Sequence, residues 1–346
     1  MEIKLRMKVI PKIWNSFHRF LFFLSITVLP FHNASGQFLP NNSTYWYMST
    51  EDKVSHYILE LGDNPNPGKT FIVLHGGFGS EHSYLINMVL PHSQKYRFIL
   101  YDQRGSLRSP ASDSTITFRN FVDDLEKLRK ELKIDKLQII GHSNGAMIAL
   151  DYLALYPENV GSLTLLAAPI FFVDGVVFKN LERPIEKYQS KSQELNVIIE
   201  NKIKKKINES GLLNDSLLSD KQKTLKRNIS FSAHNTYQMK NIESIPNAFY
   251  NPDVIKALQL NENSEAWSKR SNRQSKALSE AMIPIVVING YFDFVDPHGI
   301  VWAELVKQAK NVNHISIDKA GHNAWLDEPE LFNSILSKWL KDITVK

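Results

Sequence analysis

Apolar and polar positions along this chain follow two rhythms. Short β-branched and aromatic runs of four to six residues recur: Thr70–Leu74 (TFIVL), Tyr96–Tyr101 (YRFILY), Leu137–Ile140, Ser162–Ala167 (SLTLLA), Pro284–Asn289 (PIVVIN) and His314–Asp318. Such continuous runs predict strands buried on both faces. Between them, Phe118, Phe121, Val122, Leu125, Leu128 and Leu132 are spaced three and four apart with charges in the gaps, which predicts an amphipathic helix over 117–133. A helix is expected from Ala146 to Tyr156, stopped by Pro157, and others over 298–310 and 328–341. Lys53–Leu61 alternates in part and suggests an early antiparallel strand, while the polar stretch before it, to about Thr50, reads as a tail, ordered at best. Strands alternating with helices imply an α/β fold with a mostly parallel sheet covered by helices on both faces.

From about Phe171 to Ala281 the rhythm changes. This block is rich in Lys, Asn, Glu and Ser, with long helical periodicities and few strand runs, and reads as a helical cap (171–281) inserted into a core formed by 50–170 and 282–346. The Lys-rich run KIKKKI at 202–207 reads as a solvated helix face. No internal repeat is apparent.

Charge adds a segment at the N-terminus. Net charge is +5, but residues 1–36 carry five basic side chains and one acid, leaving 36 basic against 35 acidic residues elsewhere. The high isoelectric point therefore gives no reason to expect a nucleic-acid partner. A basic stretch to Arg19, an apolar run from Phe20 to Leu29, Pro30 and then Ala34-Ser35-Gly36 have the layout of a secretory signal over 1–36. The apolar run is about half the roughly 20 residues needed to span a bilayer, so no stable membrane span is expected after cleavage. The expected destination is periplasmic or secreted, with an uncleaved N-terminal anchor as the alternative. There is no cysteine, hence no disulfide and no thiolate nucleophile or ligand.

Candidate chemistry sits at strand ends. Gly141-His142-Ser143-Asn144-Gly145 lies between a predicted strand and a predicted helix. In that context a G-x-S-x-G places its serine on a tight, strained turn, where the hydroxyl points off the sheet edge and the helix N-terminus adds partial positive charge. A serine needs a base, and His322 follows the last predicted strand. The imidazole needs an orienting carboxylate; Asp293 follows the strand PIVVIN, and Asp296 is the alternative for that role or a cap for the next helix. The order Ser143, Asp293, His322 is nucleophile, acid, base. His75-Gly76-Gly77-Phe78-Gly79 follows the strand TFIVL, so that an N–H of Gly77 or Phe78, with that of Asn144, could form an oxyanion hole. Neither phosphate-loop pattern, G-x-x-x-x-G-K-[ST] or G-x-G-x-x-G, occurs here.

With these residues in view, the chain from about 50 to 343 resembles the α/β-hydrolase superfamily, and within it the proline iminopeptidase group of serine peptidases and related esterases. HGGFG at 75–79, YDQRGSLRS at 101–109, GHSNGA at 141–146, NGYFDFVDP at 289–297 and GHNAWLDEP at 321–329 carry the resemblance. It implies an α/β-hydrolase fold and a serine hydrolase using Ser143, Asp293 and His322, with no metal and no organic cofactor. The substrate would be a small molecule or short peptide in a pocket shaped by the cap. Asp102 and Arg104 would hold the loop beside the site, or else form a surface salt bridge. Two departures stand out: the peptidases carry Gly-Gly-Ser-Trp-Gly where this chain has Gly-His-Ser-Asn-Gly, and HGGPG where it has HGGFG. The peptidases also use cap glutamates to hold a free amino group, and none here can be matched to that role. Aminopeptidase and carboxylesterase or lactonase activities therefore both remain open, as does a non-catalytic binding protein on the same fold. Nothing in the sequence sets the oligomeric state.

Overall fold

The computed structural model describes residues 7–8, 42–169, 182–239 and 250–344. Among these, nine strands form one sheet: β1 (Met7–Lys8), β2 (Ser43–Ser49), β3 (Ser55–Leu61), β4 (Thr70–Leu74), β5 (Arg97–Tyr101), β6 (Leu137–His142), β7 (Val160–Leu166), β8 (Ile285–Gly290) and β9 (Val312–Ile317), in the order β1-β2-β3-β5-β4-β6-β7-β8-β9. The first three strands and the β3–β5 pairing are antiparallel; every pairing from β5 to β9 is parallel.

The period of two in each strand divides its side chains between two cores. Ile72 and Leu74 of β4 face one cluster, with Ile99, Ile139, Leu163 and Val287, beneath helices α2 (Phe118–Leu132) and α3 (Asn144–Leu155). Phe71 and Val73 face the other, with Leu100, Ile140 and Ile288, beneath α1 (Ile86–Val89) and α10 (Pro329–Thr344). All five residues of β4 are buried, which is why its sequence shows no polar alternation. Helix α2 starts where Thr117 accepts from the Asn120 N–H, and ends at Lys133 in the left-handed conformation, φ 54°.

The stretch expected to be a tail contains β2, which pairs with the whole of β3. Trp46 and Met48 point into the core, and Trp46 Nε1 donates to Glu60 at 2.6 Å. The Ser, Thr and Tyr residues around them are good strand residues in the antiparallel part of the sheet, so polarity there marked a strand with one solvated face.

Among the described residues between β7 and β8 stand four α-helices: α4 (Glu182–Glu209), α5 (Asp220–Asn235), α6 (Asp253–Asn261) and α7 (Ser264–Glu280). Val254, Ala257 and Leu258 of α6 and Leu278 of α7 belong to the same core cluster as the sheet, whereas the buried apolar residues of α4 and α5 fall in two small clusters, one of them packed on Phe292 and Phe294, with Tyr188 of α4 against the main core. On α4, Lys204, Lys205 and Lys206 are exposed; Lys202 lies over the Tyr237 ring and donates to the Tyr237 carbonyl. After β8 come α8 (Ile300–Leu305) and, after β9, α9 (Ala324–Asp327). The expected leader lies outside the described residues except for Met7–Lys8, and no helix among the described residues is long and apolar enough to cross a membrane.

Candidate active site

Strand β6 ends at His142, α3 begins at Asn144, and the single residue between them, Ser143, has φ 52° and ψ −122°. A non-glycine residue rarely takes positive φ, and the cost is carried by the packing around it. Gly145 is part of that packing: a Cβ there would lie 2.3 Å from the Leu74 carbonyl oxygen, so any side chain would push α3 off β4. The Ser143 N–H donates to the Leu166 carbonyl at 2.8 Å, tying the turn to β7. Ser143 itself is half-exposed, at the N-terminus of a twelve-residue helix.

Two loops meet beside this turn. Asp293, fully buried after β8, accepts from His322 Nδ1 at 2.8 Å and from the Val295 N–H at 3.0 Å, both through Oδ1. A carboxylate on Nδ1 fixes the ring orientation and leaves Nε2 of the neutral imidazole as the acceptor. His322 packs its ring 4.7 Å from that of His142, the residue before Ser143, and 4.6 Å from that of Phe294. Asp296 does not join this pair. Its two oxygens accept the N–H groups of Val301 and Trp302 at the start of α8, and burial pushes its carboxyl up to about 6.

The second loop is 75–79. Gly76 packs so tightly that a Cβ on it would lie 2.7 Å from the Cβ of Ser143, so only glycine lets this segment reach the serine. Gly77 follows at φ 63°, and Phe78 is anchored in the core with its ring 5.3 Å from that of Phe121. Gly77 and Phe78 thus follow directly on the glycine that meets Ser143, and Asn144 follows the serine as the first residue of α3. The 101–109 segment braces this loop. Gln103 donates to the His75 carbonyl at 2.7 Å through Nε2 and to His75 Nε2 at 3.1 Å through its backbone. Asp102 and Arg104 are both buried, though each also pairs with a residue at the surface, Arg108 and Asp52 respectively. Arg104 binds Asp124 through Nε and Nη2, and Asp52 and the Thr115 carbonyl through Nη1. Asp102 accepts from His82 Nδ1 at 2.6 Å; burial works against its charge, but His82 outweighs this and holds the carboxyl down to about 2.

Among the described residues, one group has the composition and spacing of a metal site: Glu81, His82 and Asp102. Arg108 Nη1 lies 3.3 Å from Glu81 and 3.2 Å from Asp102, so a guanidinium already supplies the positive charge there. Sequence reasoning missed Tyr84, which bonds to both Gly76 and His142, and Asp327, which accepts N–H groups of Gly321, Tyr237 and Gln238 and so joins the His322 loop to the end of α5. Tyr84 stands in none of the motifs above; Asp327 stands in GHNAWLDEP at 321–329, where only His322 was singled out.

Residues 69–329 match the family model for the alpha/beta hydrolase fold. The AB hydrolase superfamily protein YclE of Bacillus subtilis (strain 168) is 25% identical over 260 residues, 71% of this chain and 84% of that protein. A proline iminopeptidase of Xylella fastidiosa (strain 9a5c) is 39% identical over 120 residues, which is 34% of this chain and only 37% of that enzyme. The solved proline iminopeptidase of Mycobacterium smegmatis superposes with a TM-score of 0.58 at 17% identity, over 87% of this chain and 99% of that one. An esterase from Exiguobacterium antarcticum superposes with a TM-score of 0.53 at 19% identity, over 85% and 98%. At these identities the structural likeness speaks to the fold alone. With the model match spanning most of the chain, this protein belongs to the α/β-hydrolase family of hydrolytic enzymes.

Proposed function

We propose that this protein is a serine hydrolase that cleaves a small ester or amide through an acyl-enzyme on Ser143. The observation that carries this reading is the conformation of Ser143: a half-exposed serine at positive φ between β6 and α3, next to a buried Asp293–His322 pair. His322 Nε2 takes the Ser143 proton as Oγ attacks the substrate carbonyl carbon. The developing oxyanion is met by the N–H of Asn144 and one from Gly77 or Phe78, each donor worth about 3 kcal/mol in the transition state. His322 returns the proton to the departing alcohol or amine, then activates water to release the acyl group and restore the serine. Asp293 keeps the ring oriented and stabilises its positive charge.

Two substrate branches have separate support. The identity with proline iminopeptidases favours release of N-terminal residues from peptides. The departures in sequence keep the ester branch: the chain has Gly-His-Ser-Asn-Gly where the peptidases carry Gly-Gly-Ser-Trp-Gly, and no cap glutamate can be matched to their amine-binding role. A paired assay of aminoacyl p-nitroanilides and short acyl p-nitrophenyl esters separates the branches. Turnover of the free-amino anilides, lost when their amine is acetylated, means an aminopeptidase; turnover of esters alone means a carboxylesterase or lactonase. In either branch Ser143→Ala should lower kcat by about 10⁴-fold or more. Failure of both substrates and of a fluorophosphonate probe would leave a binding protein on this fold.

The layout of residues 1–36 supports export through a cleaved signal. Mass spectrometry of the N-terminus after expression in a bacterial host tests this: a chain starting near residue 37 in the exported fraction is expected, and an intact N-terminus in the membrane fraction means an anchor instead.

A further inference from the structure

His142 stands inside the elbow, between Gly141 and Ser143, and takes no part in the chemistry above. It is 3% exposed, and both ring nitrogens are engaged. Nδ1 lies 2.7 Å from Tyr84 Oη, and Nε2 lies 3.3 Å from the carbonyl oxygen of His322. Tyr84 Oη lies 2.6 Å from the backbone nitrogen of Gly76. These contacts admit one assignment of hydrogens for a neutral imidazole. A carbonyl oxygen can only accept, so His142 carries its hydrogen on Nε2 and its Nδ1 accepts. The Gly76 N–H can only donate, so the Tyr84 oxygen accepts there and gives its own hydrogen to Nδ1. The surroundings agree with a neutral ring: burial, and then the nearby His322, hold His142 well below the usual histidine range, and burial keeps the Tyr84 hydroxyl protonated. Trp325 closes another face, its ring centroid 4.9 Å from that of His142.

The two ends of this chain of bonds are the two loops that acyl transfer needs in register. Gly76 leads into Gly77 and Phe78, and the His322 carbonyl belongs to the residue whose ring would act as base. We infer that Tyr84 and His142 are positioning residues: the chain from Gly76 N–H through Tyr84 and His142 to the His322 carbonyl holds the oxyanion loop and the base loop at a fixed spacing across the elbow. The inference rests on the serine-hydrolase reading. It also gives a physical reason for histidine in Gly-His-Ser-Asn-Gly, since a glycine at 142 could make neither side-chain bond. Small displacements of reacting groups are costly: a shift of about 1 Å can lower a rate by about 10²-fold.

The test uses the full chain and combines kinetics with nitrogen NMR of the imidazoles. The wild type should show His142 as one neutral tautomer with the hydrogen on Nε2, unchanged between about pH 5.5 and 8.5, where an ordinary histidine titrates. Tyr84→Phe should lower kcat on whichever p-nitrophenyl ester or anilide the wild type turns over by about 10- to 100-fold, with KM within about 2-fold, while the fluorophosphonate probe still reaches Ser143. His142→Asn, whose amide oxygen can still accept from Tyr84, should recover part of the activity lost in His142→Ala. Wild-type kcat in Tyr84→Phe, or a His142 hydrogen on Nδ1, would overturn the inference with the hydrolase reading intact. A wild type that neither labels nor turns over any substrate is a different result; it sinks that reading and the positioning role with it.

Discussion

Helices α6 and α7 come from the same insertion as α4 and α5, yet the two pairs meet the core on different terms. On α7, buried Arg270 binds Asp151 of the nucleophile helix α3 at 2.6 Å, and Gln274 donates to Asp151 and to the Met147 carbonyl. The Arg270 guanidinium also lies 3.9 Å from the centre of the Phe118 ring. Just before α6, Asn251 donates to the Gly79 and Gly105 carbonyls, backing both loops beside Ser143. Helix α5, by contrast, reaches the core mainly where its C-terminal end meets the His322 loop. There Asp327 gathers the Tyr237 and Gln238 N–H groups, and the Asn323 N–H donates to Asn235. One half of the insertion is scaffold for the helix that follows Ser143; the other is attached beside His322. Chain continuity is thus a poor guide to mechanical membership: among the described residues one pair of helices is tied to α3 and the other to α8 and the His322 loop.

This contrast can be broken by mutation. The largest effect is expected from Arg270→Ala, which leaves Asp151 as a buried charge without its main partner and should cost about 3–5 kcal/mol in urea unfolding. A loss under 1 kcal/mol would mean that α7 is no more essential to the core than α4. Acid should come next. Asp102, within the loops that Asn251 backs, is held to about 2 in the folded state, below the ordinary carboxyl value of 3.8. Its stabilisation is complete above the unfolded value and lost as pH falls from 3.8 toward 2. The advantage of the wild type over Asp102→Asn should therefore reach about 2 kcal/mol near neutral pH and vanish near the acid end, and a flat difference would contradict the assignment. Asp327→Asn weakens the α5 attachment. A cost of about 1–2 kcal/mol is expected, with faster amide exchange along α5 and unchanged exchange along α7; uniform acceleration would merge the two halves into one unit. Smallest is Leu217→Ser between α4 and α5, where the leucine is 78% exposed: a change within about 0.5 kcal/mol is expected in the same unfolding assay.

How legible this was in the sequence depended on the kind of information each element carries. The parallel strands were visible because burial on both faces leaves nothing but apolar residues, as in TFIVL at β4. Helix α2 was visible because its buried and solvated faces alternate at helical period. Ser143, Asp293 and His322 stood out because each follows a strand, and topology carries the ends of parallel strands to one edge. Strand β2 was hidden by its polar side, and α8, expected over 298–310, keeps only 300–305 as α-helix, with single 3₁₀ turns on either side. Tyr84 and Asp327 were hidden for another reason. Apart from the His142 ring that Tyr84 meets, their partners are backbone groups of Gly76, Gly321, Tyr237 and Gln238, and a backbone N–H leaves no mark in a sequence. The same holds for the split of the insertion, which depends on Arg270 meeting Asp151 across 119 positions.

The strand order has a further consequence, for timing. His322 follows β9, the last strand in the chain and the outermost on its side of the sheet, and Asp293 follows β8, the strand that joins β9 to β7. A ribosome delivers Ser143 and the 75–79 loop well before either. With parallel strands paired across long separations, closure of that edge is among the slow steps of folding. A partly made chain can thus present its serine and its oxyanion loop while lacking the imidazole and carboxylate. Hydrolytic competence would switch on only with the final pairing, which makes the onset of Ser143 labelling during synthesis or refolding a direct clock for completion of the sheet.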